Sequence, residues 1–391
     1  MKRLPSYVFE PVNRIKDAVR AAGGDVIDLA MGNPDLSPPS HVIEKFRNSA
    51  GRPRTDRYSV SRGIASLRRA QAGYYNRRFQ VTLDPDSEVV VTLGSKEGFA
   101  NMAHAITAPG DVVLVPDPSY PIHSFGFLMA GGTVRSVPSE PTDSFFRDLE
   151  KAVVKLVPKP IAIVTCYPSN PTGAVASLEF YRDLVRFAKR HDLFIFSDIA
   201  YAEVYFDDIQ PPPSVLQVEG AKDVAVEFSS MSKTYSMPGW RVGFAVGNAR
   251  LLAALVRVKS YLDYGAFTPV QIAAACALDG PDDCIKDMRE TYQKRRDVLI
   301  SSFARAGWDM PRPYGTMFAW APIPPEFLSM GTVEFAKMLA KEAHVAVAPG
   351  TGFGEAGEGF VRLALVENEH RIRQAARNIA LFFDRTVLRA V

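Results

Sequence analysis

The sequence predicts an α/β fold: a large domain with a mostly parallel central sheet covered by helices, joined to a smaller α+β domain. Three observations predict it. Between about residues 88 and 250, short β-rich runs alternate with helical patterns, as parallel strands and their crossover helices do. After Asn248 the pattern changes to long helices and scattered short strands. At 391 residues the chain is long enough for one large domain plus a smaller one.

Taken in order, 88–92 reads as a strand and 95–107 as a helix. Further strands are expected at 111–115, 161–166, 193–196, 224–228 and 242–246, with a helix at 178–190. Beyond Asn248, 251–262 reads as a helix and 285–306 as a long one with charges on its outer side. Strands at 318–320, 345–348 and 360–364 then mix with helices at 333–342 and 370–381. The N-terminal stretch shows one helix and is expected to pack with the smaller domain. Those readings put the large domain at 46–284 and the small one at 1–45 plus 285–391.

Composition narrows the class. The chain is 47% hydrophobic and 23% charged with a formal net charge of +3, so no global field points to nucleic acid or an anionic membrane. The arginines between Arg52 and Arg78 are the local exception. They read as a solvated helix face, because Leu67, Ala70, Tyr74 and Tyr75 form an apolar stripe at helical spacing. Cys166, Cys276 and Cys284 form no C-x-x-C pair, which suits a reducing compartment and gives no zinc site. The basic start, Met1 to Pro5, is not followed by an apolar core of a signal peptide, and no stretch approaches a membrane span. A cytoplasmic location, no membrane partner and no metal are expected.

Four short runs carry the chemistry. Ser230-Met231-Ser232-Lys233 follows an apolar strand, and Arg241 lies eight positions beyond the lysine, between Gly239 and Gly243. A desolvated amine is a Schiff-base nucleophile, and a planar guanidinium suits a phosphate. Ser197-Asp198-Ile199-Ala200-Tyr201 stands at the carboxyl end of a strand, where open α/β sheets bind ligands. Alone, Asp198 reads more readily as a helix cap. Tyr167-Pro168-Ser169-Asn170-Pro171-Thr172-Gly173 also follows a strand, although its turn residues would explain it by themselves. Leu93-Gly94-Ser95-Lys96 leads a strand through glycine into a helix whose free N–H groups can face a phosphate.

In order and placement these runs resemble class I aminotransferases of fold type I, along the whole chain. Within that family the similarity is greatest to bacterial alanine (glutamate–pyruvate) aminotransferases and to those acting on diaminopimelate. Met31-Gly32-Asn33-Pro34-Asp35, Tyr58-Ser59-Val60-Ser61-Arg62-Gly63, Gly94-Ser95-Lys96-Glu97-Gly98, Pro116-Asp117-Pro118-Ser119-Tyr120-Pro121 and Val361-Arg362-Leu363-Ala364 carry the resemblance with the runs above.

The resemblance implies pyridoxal 5'-phosphate as cofactor, held as a Schiff base on Lys233, whose freed amine then moves the substrate proton. It implies that Asp198 pairs with the pyridine nitrogen, that Tyr201 and Asn170 bond the phenolic oxygen, and that Tyr120 stacks on the ring. Ser95, the amide of Lys96, Ser230 and Arg241 would hold the phosphate. Arg362 would clamp the substrate α-carboxylate, with Gly32 and Asn170 beside it, in a bidentate pair that also orients Cα–H. Tyr58 would reach the cofactor phosphate of a second subunit, making a homodimer with shared active sites.

The implied reaction moves an α-amino group between an amino acid and a 2-oxo acid by a ping-pong mechanism. Alanine with 2-oxoglutarate fits best, because 259–268 holds no arginine for a distal carboxylate. Lys259 or a tyrosine hydroxyl is left to meet that of glutamate. Transamination of diaminopimelate, aspartate, methionine or an aromatic amino acid is the alternative, and a carbon–sulfur lyase a remoter one. Gly352-Phe353-Gly354-Glu355-Ala356-Gly357 matches a dinucleotide fingerprint, but a strand is expected after it where the fingerprint needs a helix.

Overall fold

The computed structural model describes residues 10–155, 157–206 and 209–390; the basic start at Met1 to Pro5 lies outside them. Seven strands form the central sheet. In chain order they are β1 Val89–Thr92, β2 Val112–Asp117, β3 Thr133–Pro138, β4 Pro160–Cys166, β5 Phe194–Asp198, β6 Ala225–Ser230 and β7 Gly243–Gly247. Their spatial order is β1-β7-β6-β5-β4-β2-β3. Neighbours are parallel except at β7, which runs against both β1 and β6.

The inner strands are apolar at successive positions because both faces are covered. Val90, Val113 and Phe196 pack with Phe99, Phe127 and Leu252 on one side. Val91, Leu114 and Ile195 belong to the larger core on the other, with Leu67, Tyr75 and Leu184. Each such side chain contributes about 1.5–3 kcal/mol by leaving water. This alternation also fixes register, since a one-residue slip would exchange the faces. It matters for function because β4, β5 and β6 end at Cys166, Asp198 and Ser230 along one edge of the sheet.

A three-stranded antiparallel sheet follows: β8 Phe318–Pro322, β9 Ala348–Pro349 and β10 Phe360–Ala364, with β10 in the middle. Helices Asp283–Arg305 and Glu369–Ala390 pack against each other beside it. The strand expected at 345–348 is in fact two. Val345–Ala346 pairs in parallel with Ile27–Asp28, whereas Ala348–Pro349 joins β10. The N-terminal stretch holds two helices rather than one, Glu10–Ala21 and Ser40–Ala50, and the second packs on helix Thr268–Asp279.

The arginine-rich segment needs correction too. Helix Ala65–Phe79 buries Leu67, Ala70 and Tyr75 as expected, but its arginines are not merely solvated. Arg78 pairs with Glu203 at 2.9 Å, Arg68 bonds Asp86 and the Pro85 carbonyl at 2.8 Å, and Arg77 reaches the Leu278 carbonyl. They fasten the helix to the loops at 85–86 and 203 and to helix Thr268–Asp279. The run 352–357 forms 3₁₀ turns and then enters β10. A Cβ on Gly357 would lie 2.0 Å from the Gly350 carbonyl oxygen, so close backbone packing accounts for that glycine. No helix among the described residues is long and apolar enough to cross a membrane.

Candidate active site

A cavity of about 400 Å³ opens at the carboxyl ends of β4, β5 and β6, where β10 approaches. Eleven of the twelve residues singled out in the sequence line it: Gly32, Ser95, Lys96, Tyr120, Asn170, Asp198, Tyr201, Ser230, Lys233, Arg241 and Arg362. Tyr58 does not. It is 85% exposed and stacks on Tyr264 with ring centroids 4.7 Å apart.

Lys233 sits in a four-residue helix, Met231–Thr234, directly after β6. Ser230 starts that helix by accepting the Ser232 amide at 3.1 Å, so its hydroxyl hydrogen remains to donate elsewhere. Lys233 Nζ donates to the Gly32 carbonyl at 2.9 Å. Burial, reinforced by the nearby cations Arg362 and Arg241, lowers its pKa from 10.5 to about 7. A large fraction of the amine is therefore uncharged near neutrality, as a nucleophile requires.

Asp198 ends β5. Its Oδ1 accepts the Ala200 amide at 3.0 Å, so it does cap the following turn, yet it also lines the cavity. Its Oδ2 lies 3.0 Å from His123 Nε2. Because a carboxylate only accepts, that nitrogen carries the hydrogen. His123 is fully buried, on helix Ile122–Met129, three residues past Tyr120. The sequence reading did not single it out; its nearness in sequence to Tyr120 was the available signal. Cys166 completes a buried group of three potential metal ligands with His123 and Asp198. Burial pushes the Cys166 thiol pKa well up, and Asp198 adds to the shift, so a thiolate ligand is disfavoured there.

Arg362 stands on β10, the central strand of its sheet, between fully buried Val361 and Leu363. Its Nη1 donates to Asn170 Oδ1 at 2.9 Å and its Nη2 to the Ala30 carbonyl at 3.0 Å. The guanidinium carbon lies 3.9 Å from the Phe318 ring centroid and 4.6 Å from that of Phe353. Two aromatic faces thus fix its plane, and neither carries a local signal in the sequence. Phe318 also explains Gly32, where a Cβ would fall 2.6 Å from that ring. Burial raises the pKa of Tyr201 well above its ordinary value, against a smaller opposing effect of Arg362, so its phenol stays a donor.

Opposite these groups lies an anion cradle. Helix Ser95–Ile106 begins at Gly94, whose φ is +87°, and a Cβ there would lie 2.2 Å from Arg241 Nη2. Only glycine lets the guanidinium rest over the helix start. Arg241, itself at φ +56°, is held by bonds to the carbonyls of Pro238 at 2.8 Å and Leu93 at 3.3 Å. The Lys96 side chain is exposed, with its ammonium 5.9 Å from the Tyr120 ring centroid.

Lys259 has no place here. Its Nζ is fully buried between Glu97 Oε1 at 2.9 Å and Asp263 Oδ2 at 2.8 Å. The sequence expectation that it could meet a distal carboxylate is corrected: its charge is already neutralised within the fold.

Residues 24–379 match the family model "Aminotransferase class I and II". The chain is 64% identical to AatC of Rhizobium meliloti, over 98% of this chain and 95% of that one. It is 50% identical to the glutamate–pyruvate aminotransferase AlaC of Escherichia coli, over 97% and 92%. The substrate-bound BacF structure from Bacillus subtilis superposes with a TM-score of 0.91 at 34% identity, covering 97% and 95%. The chain belongs to the class I and II aminotransferases. It is a pyridoxal-phosphate-dependent enzyme acting on amino and 2-oxo acids.

The residues present fit that cofactor. The glycine-walled cradle at Gly94 and Arg241 suits its phosphate, the depressed amine of Lys233 its aldehyde, and Asp198 its ring nitrogen.

Proposed function

We propose that the enzyme exchanges amino groups between alanine and 2-oxoglutarate, by way of pyruvate and glutamate. One observation carries this reading: among the described residues, only two guanidiniums, Arg241 and Arg362, line the cavity. The first suits the cofactor phosphate and the second an α-carboxylate, so none is left for a side-chain carboxylate. A small neutral side chain fits such a site better than that of aspartate. With Lys259 sequestered, a tyrosine hydroxyl remains to meet the distal carboxylate of glutamate. The 50% identical relative bears a glutamate–pyruvate name, which supports the same pair. Single-turnover mixing of the loaded enzyme with a panel of amino acids tests it. Alanine and glutamate should react fastest, and the reading fails if aspartate matches or outpaces alanine.

Bound pyridoxal phosphate supplies a carbonyl for the substrate amine and a ring that accepts the electron pair left at Cα. The protein does the rest. Arg362 takes the α-carboxylate on its guanidinium, with its plane set by Phe318 and Phe353, and so holds Cα–H in one direction. Lys233 Nζ, released from its carbonyl partner, would remove the Cα proton and hand it to the cofactor carbon on the far side of the amino nitrogen. Such held proton transfer is worth ~10²–10⁴-fold. Asp198 would pair with the ring nitrogen, and His123 keeps Asp198 in place. Tyr201 and Asn170 would offer hydrogens to the phenolic oxygen, and Tyr120 would cover the ring.

We further propose a homodimer in the cytoplasm, whose Tyr58 completes the neighbouring site. Tyr58, Val60, Tyr261, Leu262 and Tyr264 are all more than half exposed, an apolar surface that favours burial against a second copy. The division into 46–284 and 1–45 plus 285–391 belongs to the same proposal. The ladder joining Ile27–Asp28 to Val345–Ala346 supports it.

A further inference from the structure

Helices Asp283–Arg305 and Glu369–Ala390 pack side by side, and a second cavity of about 300 Å³ opens along their contact, with no residue in common with the active site. Arg305 of the first helix and Arg373 and Arg377 of the second line it. The remaining lining is Ser302 and three alanines, with no carboxylate.

Two features set this groove apart from a solvated helix face. The first is uncompensated charge. Arg373 and Arg377 stand four apart on one helix, a spacing at which like charges repel. Among the described residues, no ion pair joins either of them or Arg305 to an acid; Arg305 Nε donates only to the Ser301 carbonyl, at 3.1 Å. Arginines elsewhere on the same helices are paired: Arg371 with Asp25, and Arg295 with Asp35. The second feature is a buried hydroxyl. Ser302 is 6% exposed and its Oγ has no hydrogen-bond partner among the described residues. Its neighbour Ser301 instead donates to the Asp297 carbonyl one turn back, at 2.7 Å. A buried unpartnered hydroxyl is unfavourable, and Ser302 is among the residues that line the groove.

We propose that this groove binds the phosphate group of a small molecule. Three guanidiniums offer forked N–H donors to a tetrahedral dianion, and Ser302 supplies a hydroxyl donor at the base. Ala376 and Ala380 leave the space such a group needs. The volume lies at the lower end of the range for small-molecule sites, so it takes either free phosphate or a short phosphate ester.

Calorimetric titration of the cofactor-loaded enzyme tests the proposal, since bound cofactor already fills the cradle at Arg241. The probes are inorganic phosphate and glycerol 3-phosphate. Saturable binding of either is expected, weakening as salt rises; the tighter of the two identifies free anion or ester. The double variant Arg373→Ala/Arg377→Ala should bind at least about tenfold more weakly, and Ser302→Ala several-fold more weakly. Turnover should be unchanged in both. A thermal readout checks that the variants are folded: phosphate should raise the melting temperature of the parent but not of the double variant. No saturable binding of either probe, or equal affinity in the parent and the double variant, would overturn the proposal.

Discussion

His123 Nε2 donates to Asp198 Oδ2 across 3.0 Å inside the fold, joining two residues 75 positions apart in the chain. The histidine does not line the cavity; it acts through the carboxylate as a positioning residue. Replacing Asp198 by Asn should lower turnover by ~10²–10³-fold, the usual effect of losing one aimed electrostatic partner. His123→Asn should cost less, about tenfold. It should also move the pH midpoint of the bound cofactor's absorbance, which a purely structural loss would leave in place. Absorbance titration of both variants decides the matter.

Arg362 donates to Asn170 Oδ1 and the Ala30 carbonyl while its face lies between two phenyl rings. Lysine keeps the charge but neither the fork nor the plane. Arg362→Lys should lose about 1.5–3 kcal/mol of transition-state binding, or ~10–150-fold in kcat/KM. Cofactor affinity should hold, because the cradle at Arg241 is separate. A loss confined to cofactor binding would reassign this arginine.

The pH dependence follows from Lys233, whose pKa is about 7 when folded against 10.5 for a free lysine. Below about 7 the amine is charged in both states, and its burial weakens the fold in full. Between 7 and 10.5 the unfolded chain binds a proton that the folded chain does not, so stability rises with pH. In cofactor-free protein, Lys233→Met should therefore stabilise most at pH 6, with the gain shrinking toward pH 10. The rate at which cofactor-free enzyme captures pyridoxal phosphate should climb through about pH 7 and level off. A midpoint near 10 would show an ordinary exposed lysine.

Lys259 separates a structural cation from a substrate-binding one. Its ammonium is enclosed by Glu97 and Asp263, and removing one member of a buried ionic group costs about 3–5 kcal/mol. Lys259→Met should lower the melting temperature by several degrees while leaving the KM ratio of glutamate to alanine unchanged. A selective rise in the glutamate KM would restore Lys259 to the site.

What the sequence made legible follows from burial. Strands β1, β2, β4, β5, β6 and β7 could be read because sheet cores force apolar runs such as Val89-Val90-Val91. Strand β3 escaped notice. It pairs on one side only, and its single buried residue, Val137, follows two exposed ones, Arg135 and Ser136, so no run marks it. Helix Thr268–Asp279 escaped for the opposite reason. It is buried along most of its length, from Pro269 to Leu278, and a helix apolar on all sides shows no period. The same logic divides the site. Lys233, Asp198 and Arg241 sit at or near strand ends with distinctive local sequence, whereas His123, Phe318 and Phe353 act through contacts made only in the folded chain.

The central claim is that Lys233 Nζ carries the proton at the substrate's Cα. The most direct measurement is single-turnover mixing of cofactor-loaded Lys233→Ala with alanine, followed by cofactor absorbance. The account predicts a fall of ~10²–10⁴-fold or more from the parent rate, with partial rescue by small exogenous amines. A variant that reacts at the parent rate would contradict it.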